Sequence, residues 1–173
     1  MKNKKIIIAG GTGFIGQVIC NYFGADNEIV ILTRQSSGQK TNAFGKITIS
    51  KELSKNIRYV KWDGITIDKW ADEINGAELV INLTGKTVNC RYNEKNKKEI
   101  FDSRINSVKI LGLVIQQAVH PPKLWINAAS ATIYPHATSA PRDEDFTAFA
   151  DDFSVQVCKL WEKTFYEQRT PFT

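Results

Sequence analysis

Cysteine is scarce in this chain of 173 residues, which has only Cys20, Cys90 and Cys158. The three are widely spaced, odd in number and include no CxxC pair, so the sequence predicts neither a disulfide framework nor a zinc site. We expect all three thiols to be reduced, and we predict no metal centre.

Long apolar runs are absent as well. The stretches at residues 5–9 and 79–83 fall far short of the about 20 residues that a membrane span requires, and no signal-type segment precedes them. Hydrophobic residues make up 42% of the chain and charged residues 24%, which is ordinary for a globular protein. Residues 1–173 are therefore expected to form a single cytoplasmic domain without a membrane partner.

The net charge of +5 does not indicate a nucleic-acid partner. Lys95, Lys97 and Lys98 lie close together, but Glu94 and Glu99 flank them, which is typical of the solvated start of a helix. No basic stripe is interleaved with aromatic residues, as single-strand binding proteins require. We expect no nucleic-acid binding.

Short β-rich runs alternate with segments that can form helices or crossovers, and there is no internal repeat. The runs lie at residues 5–9, 28–33, 57–62, 79–83 and 124–129. This alternation predicts the α/β class, with a doubly wound parallel sheet of the Rossmann type.

Helices are predicted between and after these runs. The first covers residues 14–23 and ends at Gly24, and the fifth covers residues 153–168. The fourth ends at His120-Pro121-Pro122 and has apolar residues near a period of 3.6, at Ile100, Ile105, Val108, Leu111, Ile115 and Val119. Irregular stretches remain at 35–55 and 135–151. The second should lie beyond the carboxyl end of the fifth strand, where sheets of this kind bind ligands.

The segment "IIIAGGTGFIG", at residues 6–16, places three glycines where a strand hands over to a helix. Gly10 allows a tight turn, Gly13 allows a pyrophosphate to approach, and Gly16 allows the helix and strand to pack closely. Free backbone N–H groups and the helix dipole then face the anion. We therefore predict dinucleotide binding by Gly10, Thr12, Gly13, Phe14, Ile15 and Gly16.

The residues at the end of the second strand indicate which dinucleotide is bound. An acidic residue here would bind the ribose hydroxyls of NAD, but the sequence reads "IVILTRQSSG" and has no acid. The guanidinium of Arg34 matches a phosphate, with Thr33 and Ser36 assisting. NADP(H) is therefore predicted over NAD(H), the alternative being that Arg34 is an ordinary solvent-facing arginine.

Three motifs together resemble the extended short-chain dehydrogenase/reductases: the GxxGxxG turn, "NLTG" at 82–85 and "SATIY" at 130–134. The stretches "INLTGKTV", "RYNEKNKKEIFDSRINSVKIL" and "DDFSVQVCKLWE" are similar to an atypical branch, the nucleoside-diphosphate-sugar epimerase-like family. The resemblance covers essentially the whole chain, as the NAD(P)-binding part. The C-terminal substrate region expected of an extended member is absent, and we expect a truncated chain.

The resemblance implies roles for further residues. Near the cofactor it places Asp63 and Gly64 at the adenine, then Leu83, Thr84, Gly85, Glu99 and Arg104. For catalysis it implies Ser130, Asn106 and, as a proton donor, Tyr134. Alternatives stay open: Arg104 as a solvated side chain, Asn106 as a bridge between helix and strand, and Ser130 as a cap.

One departure from the family puts catalysis in doubt. The resemblance implies a tyrosine, with a lysine four residues later on the same helix, but Phe153 and Val157 occupy those positions. Ser154 and Cys158 have the same spacing but no lysine supports them, and Lys159 should face away from the site. Tyr134 or Tyr92 remains as a phenol that could donate a proton.

Three functions therefore remain open. The first is an NADP-dependent, epimerase-like oxidoreductase acting on a small molecule such as a nucleotide sugar. The second is a non-catalytic NADPH-binding or regulatory protein, and the third is an interaction protein that binds no cofactor. The resemblance also implies a homodimer through the fourth and fifth helices. Its apolar face, or alternatively the internal core, would contain Val108, Leu111, Ile115, Trp161 and Phe165.

Overall fold

A computed structural model describes residues 1–34, 55–138, 140–168 and 170. The predicted contribution of Ser36 and almost all of the irregular stretch 35–55 lie outside these residues.

The described residues contain one five-stranded parallel sheet. Its strands are β1 (Lys5–Ala9), β2 (Glu28–Thr33), β3 (Ile57–Lys61), β4 (Leu79–Asn82) and β5 (Leu124–Asn127), in the order β3-β2-β1-β4-β5. The order reverses direction between β1 and β4, and parallel strands bring all their carboxyl ends to one edge of the sheet. The predicted fold class is confirmed, and β3, β4 and β5 each end one or two residues earlier than predicted.

Helices cover the sheet from both sides, as its wholly buried central strands require. They are α1 (Phe14–Phe23), α2 (Glu94–Gln117) and α3 (Phe153–Tyr166), with short 3-10 helices at Lys69–Ile74 and Ala131–Ile133. α1 has the predicted bounds. Gly24 follows it with φ of −68°, so the helix ends there without the left-handed cap that a glycine permits.

Alternate residues of β1 divide the core into two clusters. Ile6 and Ile8 pack with Cys20 of α1 on one face, whereas Ile7 and Ala9 pack with residues of α2 and α3 on the other. The side chains of these four residues, out of five in β1, are fully buried. This two-sided burial explains why the run is apolar throughout rather than alternating.

The apolar stripe of α2 faces the sheet. The residues considered for a dimer face, namely Val108, Leu111, Ile115, Trp161 and Phe165, all pack in the core cluster on this side. The core alternative therefore holds for these residues. A helix stripe with a 3.6 period is the same whether it covers a sheet or a partner, so the sequence could not separate the two.

No helix in the described ranges is both long enough and apolar enough to cross a membrane.

Candidate functional site

The turn after β1 leaves no space for side chains at two of its glycines. Gly10 has φ of +75°, and a Cβ there would lie 3.1 Å from the carbonyl carbon of Leu83. A Cβ on Gly16 would lie 2.5 Å from the Cα of Gly11, so α1 packs directly on the turn. The predicted need for glycine is met at both positions, with the backbone of Gly11 as the neighbour of Gly16.

Gly13, in contrast, borders open space. Among the described residues, a Cβ on Gly13 would meet only the Gly10 carbonyl oxygen, at 3.4 Å. Gly13 is also the N-cap of α1 and offers no side chain to its first turn, whereas Asn93 and Asp152 cap α2 and α3 with side-chain oxygens. The first N–H groups of α1 therefore have no hydrogen bond from the N-cap side chain and can donate to a ligand that approaches Gly13. An anion suits that position because the helix dipole adds to these donors.

Two exposed apolar side chains flank this helix end. Phe14 is 49% exposed and Ile15 is 61% exposed. The backbone oxygen of Thr12 accepts a hydrogen bond from Gln17 Nε2 at 2.9 Å, which fixes the turn to the second turn of α1.

The carboxyl ends of β2 and β3 are joined beside the turn. The N–H of Trp62 donates to the Thr33 carbonyl at 2.8 Å, Thr33 is buried, and Arg34 is exposed. Arg34 thus leaves the sheet at the carboxyl edge with its guanidinium accessible. No carboxylate lies at residues 33 or 34, where NAD-binding proteins place one.

Asp63 organises the turn after β3. Its Oδ1 accepts from the N–H groups of Ile65 and Thr66, both at 2.8 Å, and its Oδ2 accepts from Thr66 Oγ1 at 2.7 Å. These bonds, chiefly those from Thr66, hold the pKa of the Asp63 carboxyl below its usual value. Gly64 follows with φ of +81°, a conformation that favours glycine.

The segment after β4 holds an unpartnered polar atom. Thr84 Oγ1 is buried and, within the part of the chain that the structure describes, has no hydrogen-bond partner. Its N–H donates to Asn82 Oδ1 at 3.1 Å, and the segment lies against Gly10. A buried hydroxyl without a partner costs free energy unless a ligand supplies one.

A polar network that the sequence analysis did not predict lies at the start of the segment after β4. Asn82 Nδ2 donates to Asn127 Oδ1 at 2.8 Å and to Ser107 Oγ at 3.2 Å. Asn82 and Asn127 are paired in register as the last residues of adjacent strands. The signal was present, because "VIN" and "WIN" each end an apolar strand with the same amide.

Side chains from the first half of α2 form hydrogen bonds with the segment after β4. Ser103 Oγ accepts from the N–H of Lys86 at 2.9 Å, and Arg104 Nη1 donates to the carbonyl of Lys86 at 3.2 Å. The ammonium of Lys86 pairs with the Glu99 carboxylate and donates to Asn96 Oδ1 at 3.0 Å. The hydrogen bond from Lys86 lowers the pKa of Glu99.

Arg104 is not a solvated helical arginine. Its guanidinium lies 5.1 Å from the ring centre of Trp161 and directly against Gly85, where a Cβ would be 3.1 Å from Cζ. Burial lowers the pKa of Arg104, while electrostatic interaction with Cys158 and Tyr92 raises it. The backbone beside Gly85 therefore runs next to a half-buried cation.

The three proposed catalytic residues have different surroundings. Ser130 caps the 3-10 helix Ala131–Ile133, where its Oγ accepts from the N–H of Thr132 at 3.4 Å and lies 3.0 Å from Thr132 Oγ1. Tyr134 packs against Phe146 and Phe149. Asn106 makes no side-chain hydrogen bond to the described residues, and Ser107 is the residue that bridges α2 to the sheet.

The first two turns of α3 are apolar where the resemblance implies tyrosine and lysine. The ring of Phe153 lies 5.1 Å from that of Tyr92 and 5.3 Å from that of Phe101, and Val157 is buried. Lys159 turns outward and donates to the Ala150 carbonyl at 3.3 Å. Cys158, directly after Val157, is also buried, and its Sγ lies 3.3 Å from Thr132 Oγ1.

Residues 6–155 match the NAD dependent epimerase/dehydratase family. Epimerase family protein YfhF of Bacillus subtilis is 32% identical over 160 residues, which cover 91% of this chain and 48% of that protein. Epimerase family protein SERP0438 of Staphylococcus epidermidis is 30% identical, with 92% and 48% covered. The chain spans about half the length of the curated relatives it matches.

Solved structures share the fold. Human epimerase family protein SDR39U1, crystallised with NADPH, superposes with a TM-score of 0.73 at 24% identity over 98% of this chain and 50% of that chain. UDP-N-acetylglucosamine 4-epimerase of Methanobrevibacter ruminantium, in complex with UDP-N-acetylmuramic acid, gives 0.73 at 20% identity, with 96% and 52% covered.

Proposed function

The chain belongs to the NAD-dependent epimerase/dehydratase family, and from that membership we propose that it is an NADP(H)-binding, epimerase-like oxidoreductase that prefers NADP(H) to NAD(H). The observation that carries the proposal is the carboxyl edge of the sheet. There the start of α1, without a side-chain cap, leaves space at Gly13, and the accessible Arg34 follows the neighbouring strand β2.

The residues present fit a dinucleotide. The buried Thr84 hydroxyl lacks a partner among the residues that the structure describes, and the space in front of Gly13 is one that a Cβ would enter. Human SDR39U1, which has the same fold, is described with NADPH. The residues that would hold the cofactor are Gly10, Thr12, Gly13, Phe14, Ile15 and Gly16 for the diphosphate, Thr33 and Arg34 for the adenosine phosphate, Asp63 and Gly64 for the adenine, and Leu83, Thr84, Gly85, Glu99 and Arg104 along the nicotinamide half.

A bound NADPH would supply a hydride to a carbonyl substrate. This chain's own residues would orient that substrate: the Ser130 hydroxyl, shortly after the carboxyl end of β5, would donate a hydrogen bond to the carbonyl oxygen. Asn106 and Tyr134 are kept as further candidates. Small-molecule substrates, nucleotide sugars among them, are proposed because the epimerases with this fold are described with nucleotide sugars.

Calorimetry with NADPH and NADH tests the cofactor preference. We expect NADPH to bind roughly 10- to 100-fold more tightly, the range that charge-assisted hydrogen bonds to one phosphate provide. Arg34→Ala should remove most of that ratio and leave NADH binding unchanged.

Lys109→Ala is the matched control for that experiment. It also removes one exposed positive charge, but from the part of α2 that runs away from the carboxyl edge, so the ratio should stay as in the wild type. Equal affinities for the two cofactors in the wild-type protein would contradict the proposed preference.

A second function is supported by one observation. Phe153 and Val157 are apolar and packed, so no phenol and ammonium project together from the first two turns of α3. This favours a protein that binds NADPH without turnover and serves a regulatory role. NADPH consumption with a panel of nucleotide sugars and small carbonyls separates the two functions, since a non-catalytic protein binds the cofactor and leaves its absorbance unchanged.

The assembly and location of the protein are part of the same proposal. A homodimer through α2 and α3 would use their exposed residues, such as Leu113 and Leu160, which are 40% and 42% exposed. Sedimentation velocity tests it, and Leu113→Lys should shift a dimer toward monomer. A cytoplasmic location is supported by the free thiols of Cys20, Cys90 and Cys158.

A further inference from the structure

A hydrogen-bonded chain runs from the surface of the site to a buried thiol. Ser130 Oγ lies 3.0 Å from Thr132 Oγ1, and Thr132 Oγ1 lies 3.3 Å from Cys158 Sγ. Thr132 is exposed, whereas Cys158 is only 3% exposed. The hydroxyl of Thr132 thus links the thiol to Ser130, the residue proposed to bind the substrate oxygen.

The guanidinium of Arg104 lies 5.1 Å from the ring centre of Trp161, which is on the same face of α3 as Cys158, three residues further along. Cys158 is the first of two groups whose electrostatic interaction raises the pKa of this guanidinium, and Tyr92 is the second. Hydrogen bonds to the carbonyls of Lys86 and Ile100 hold the guanidinium in place. A thiolate formed at Cys158 would therefore lie on the helix face over which this fixed, half-buried cation is held.

Reduction of a carbonyl requires a group that supplies a proton. A carbonyl that accepts a hydride also needs one proton at its oxygen. Aliphatic hydroxyls can pass a proton along but do not ionise near neutral pH, whereas thiols as a class ionise at about 8.5, closer to neutral than phenols at about 10.

We propose that Cys158 is the proton-holding residue of this site, with Arg104 as the cation that stabilises its thiolate. The inference rests on the proposed oxidoreductase function. Ser130 Oγ gives its proton to the substrate oxygen, Thr132 Oγ1 replaces it, and Cys158 replaces the proton of Thr132. The carbonyl becomes an alcohol and the thiol a thiolate. Solvent returns one proton through the exposed Thr132 after the product leaves.

Three other titratable groups lie near Cys158 or Arg104. Tyr134 packs on the same cluster from the segment after β5, Tyr92 faces Arg104, and Glu162 lies one turn further along α3. Burial raises the pKa of Glu162. Tyr92→Phe decides whether the phenol beside Arg104 is the group that titrates instead of the thiol.

Infrared spectroscopy of the S–H stretching band tests the chain without any substrate. The difference between wild type and Cys158→Ser identifies the Cys158 band, and Cys20, buried under α1, is the internal reference. We expect Thr132→Val to move the Cys158 band toward that of a thiol without a partner. Arg104→Gln removes the neighbouring cation and should also shift the Cys158 band, whereas Tyr92→Phe should leave it in place. If neither Thr132→Val nor Arg104→Gln alters the Cys158 band, the inference is overturned.

Turnover with NADPH, using benzaldehyde and diacetyl as carbonyl probes, adds a second measurement. Cys158→Ser keeps a hydrogen-bonding group of similar size, so a purely structural role would be preserved. We expect instead that it lowers turnover roughly 100-fold or more and removes the basic limb of the pH profile, with NADPH affinity unchanged. Wild-type turnover in Cys158→Ser overturns the inference while leaving the proposed function intact. Failure of the wild type to bind NADPH overturns the proposed function, and the infrared bands still report on the chain.

Discussion

The glycines of the turn after β1 are required for different reasons, and this difference can be measured. A Cβ on Gly16 would meet the Gly11 backbone at 2.5 Å, and backbone atoms cannot move aside as a flexible side chain can. Gly16→Ala should therefore lower the free energy of unfolding by about 1–3 kcal/mol, as overpacking does in other proteins, and displace α1. Chemical denaturation measures the loss.

Gly13→Ala is the matched substitution, since it adds the same methyl group three residues earlier. Gly13 has φ of −75°, which alanine adopts freely, and its nearest neighbour would be 3.4 Å away. We expect the stability to stay within about 1 kcal/mol of the wild type, while NADPH affinity falls at least tenfold. Wild-type affinity in Gly13→Ala would show that the diphosphate does not bind at this turn.

At the scale of elements, Arg58 joins three parts of the fold at its surface. From β3 its Nε donates to Glu28 Oε1 of β2 at 3.0 Å, and its Nη1 donates to Glu73 Oε1 of the 3-10 helix at 2.6 Å. The hydrogen bond from Arg58 is the main reason why the pKa of Glu73 lies below its usual value. The folded state therefore binds a proton at Glu73 less readily than the unfolded chain does.

This difference makes the contribution of Arg58 depend on pH. Since the folded pKa is depressed, the stabilisation is fully present above the unfolded pKa of glutamate, about 4.3, and is lost as the pH falls through the folded value. Arg58→Met should be less stable than wild type at pH 7, and the gap should close as the pH falls below about 4. Urea unfolding at several pH values measures the gap.

Lys163→Met serves as the control for Arg58→Met. Lys163 and Glu167 form an exposed pair at 3.8 Å on α3, and such pairs contribute little. Its stability difference from wild type should be small at every pH. A gap for Arg58→Met that persists unchanged in acid would mean that packing of the arginine stem, rather than the ion pair, stabilises this surface.

The bounds of a strand or helix were predictable where its sequence pattern fits only one structure. The apolar runs of β1 and β2 and the glycine that follows α1 gave the observed bounds, because period and turn chemistry are local. The apolar face of α2 had two meanings, since burial against a sheet and burial against a partner select the same residues. Asn82 and Asn127 were missed because their pairing depends on the register of two strands that are far apart in sequence.

The residues proposed for catalysis were less predictable, because their contacts join segments that are far apart in the sequence. Motif spacing gives one helix at a time, so Phe153 and Val157 could be seen to be apolar. The contact between Cys158 and Thr132 joins α3 to the segment after β5, and no spacing rule within either segment reports it. The clamp that Arg104 forms on Lys86 likewise links residues 18 positions apart through the packing of α2 on the sheet.

At the scale of the whole molecule, the two faces of the sheet are unequally covered. Leu124 and Ile126 of β5 are 49% and 44% exposed, whereas Trp125 between them is 4% exposed on the opposite face. Their neighbours in register are Leu79 and Ile81, which are buried in the cluster under α1. The apolar surface of that cluster therefore continues into solvent along β5, the last strand in the described sheet.

Exposed apolar residues beside a sheet edge promote association between chains. The double substitution Leu124→Thr and Ile126→Thr keeps residues suited to strands and removes most of this apolar surface. We expect light scattering to show less concentration-dependent association of this 173-residue chain, with an unchanged NADPH affinity. Val119→Thr is the control, because Val119 is 79% exposed but lies after α2, outside the sheet. Association that persists in the double variant and is abolished by Leu113→Lys would instead assign the contact to α2, where the proposed homodimer would form.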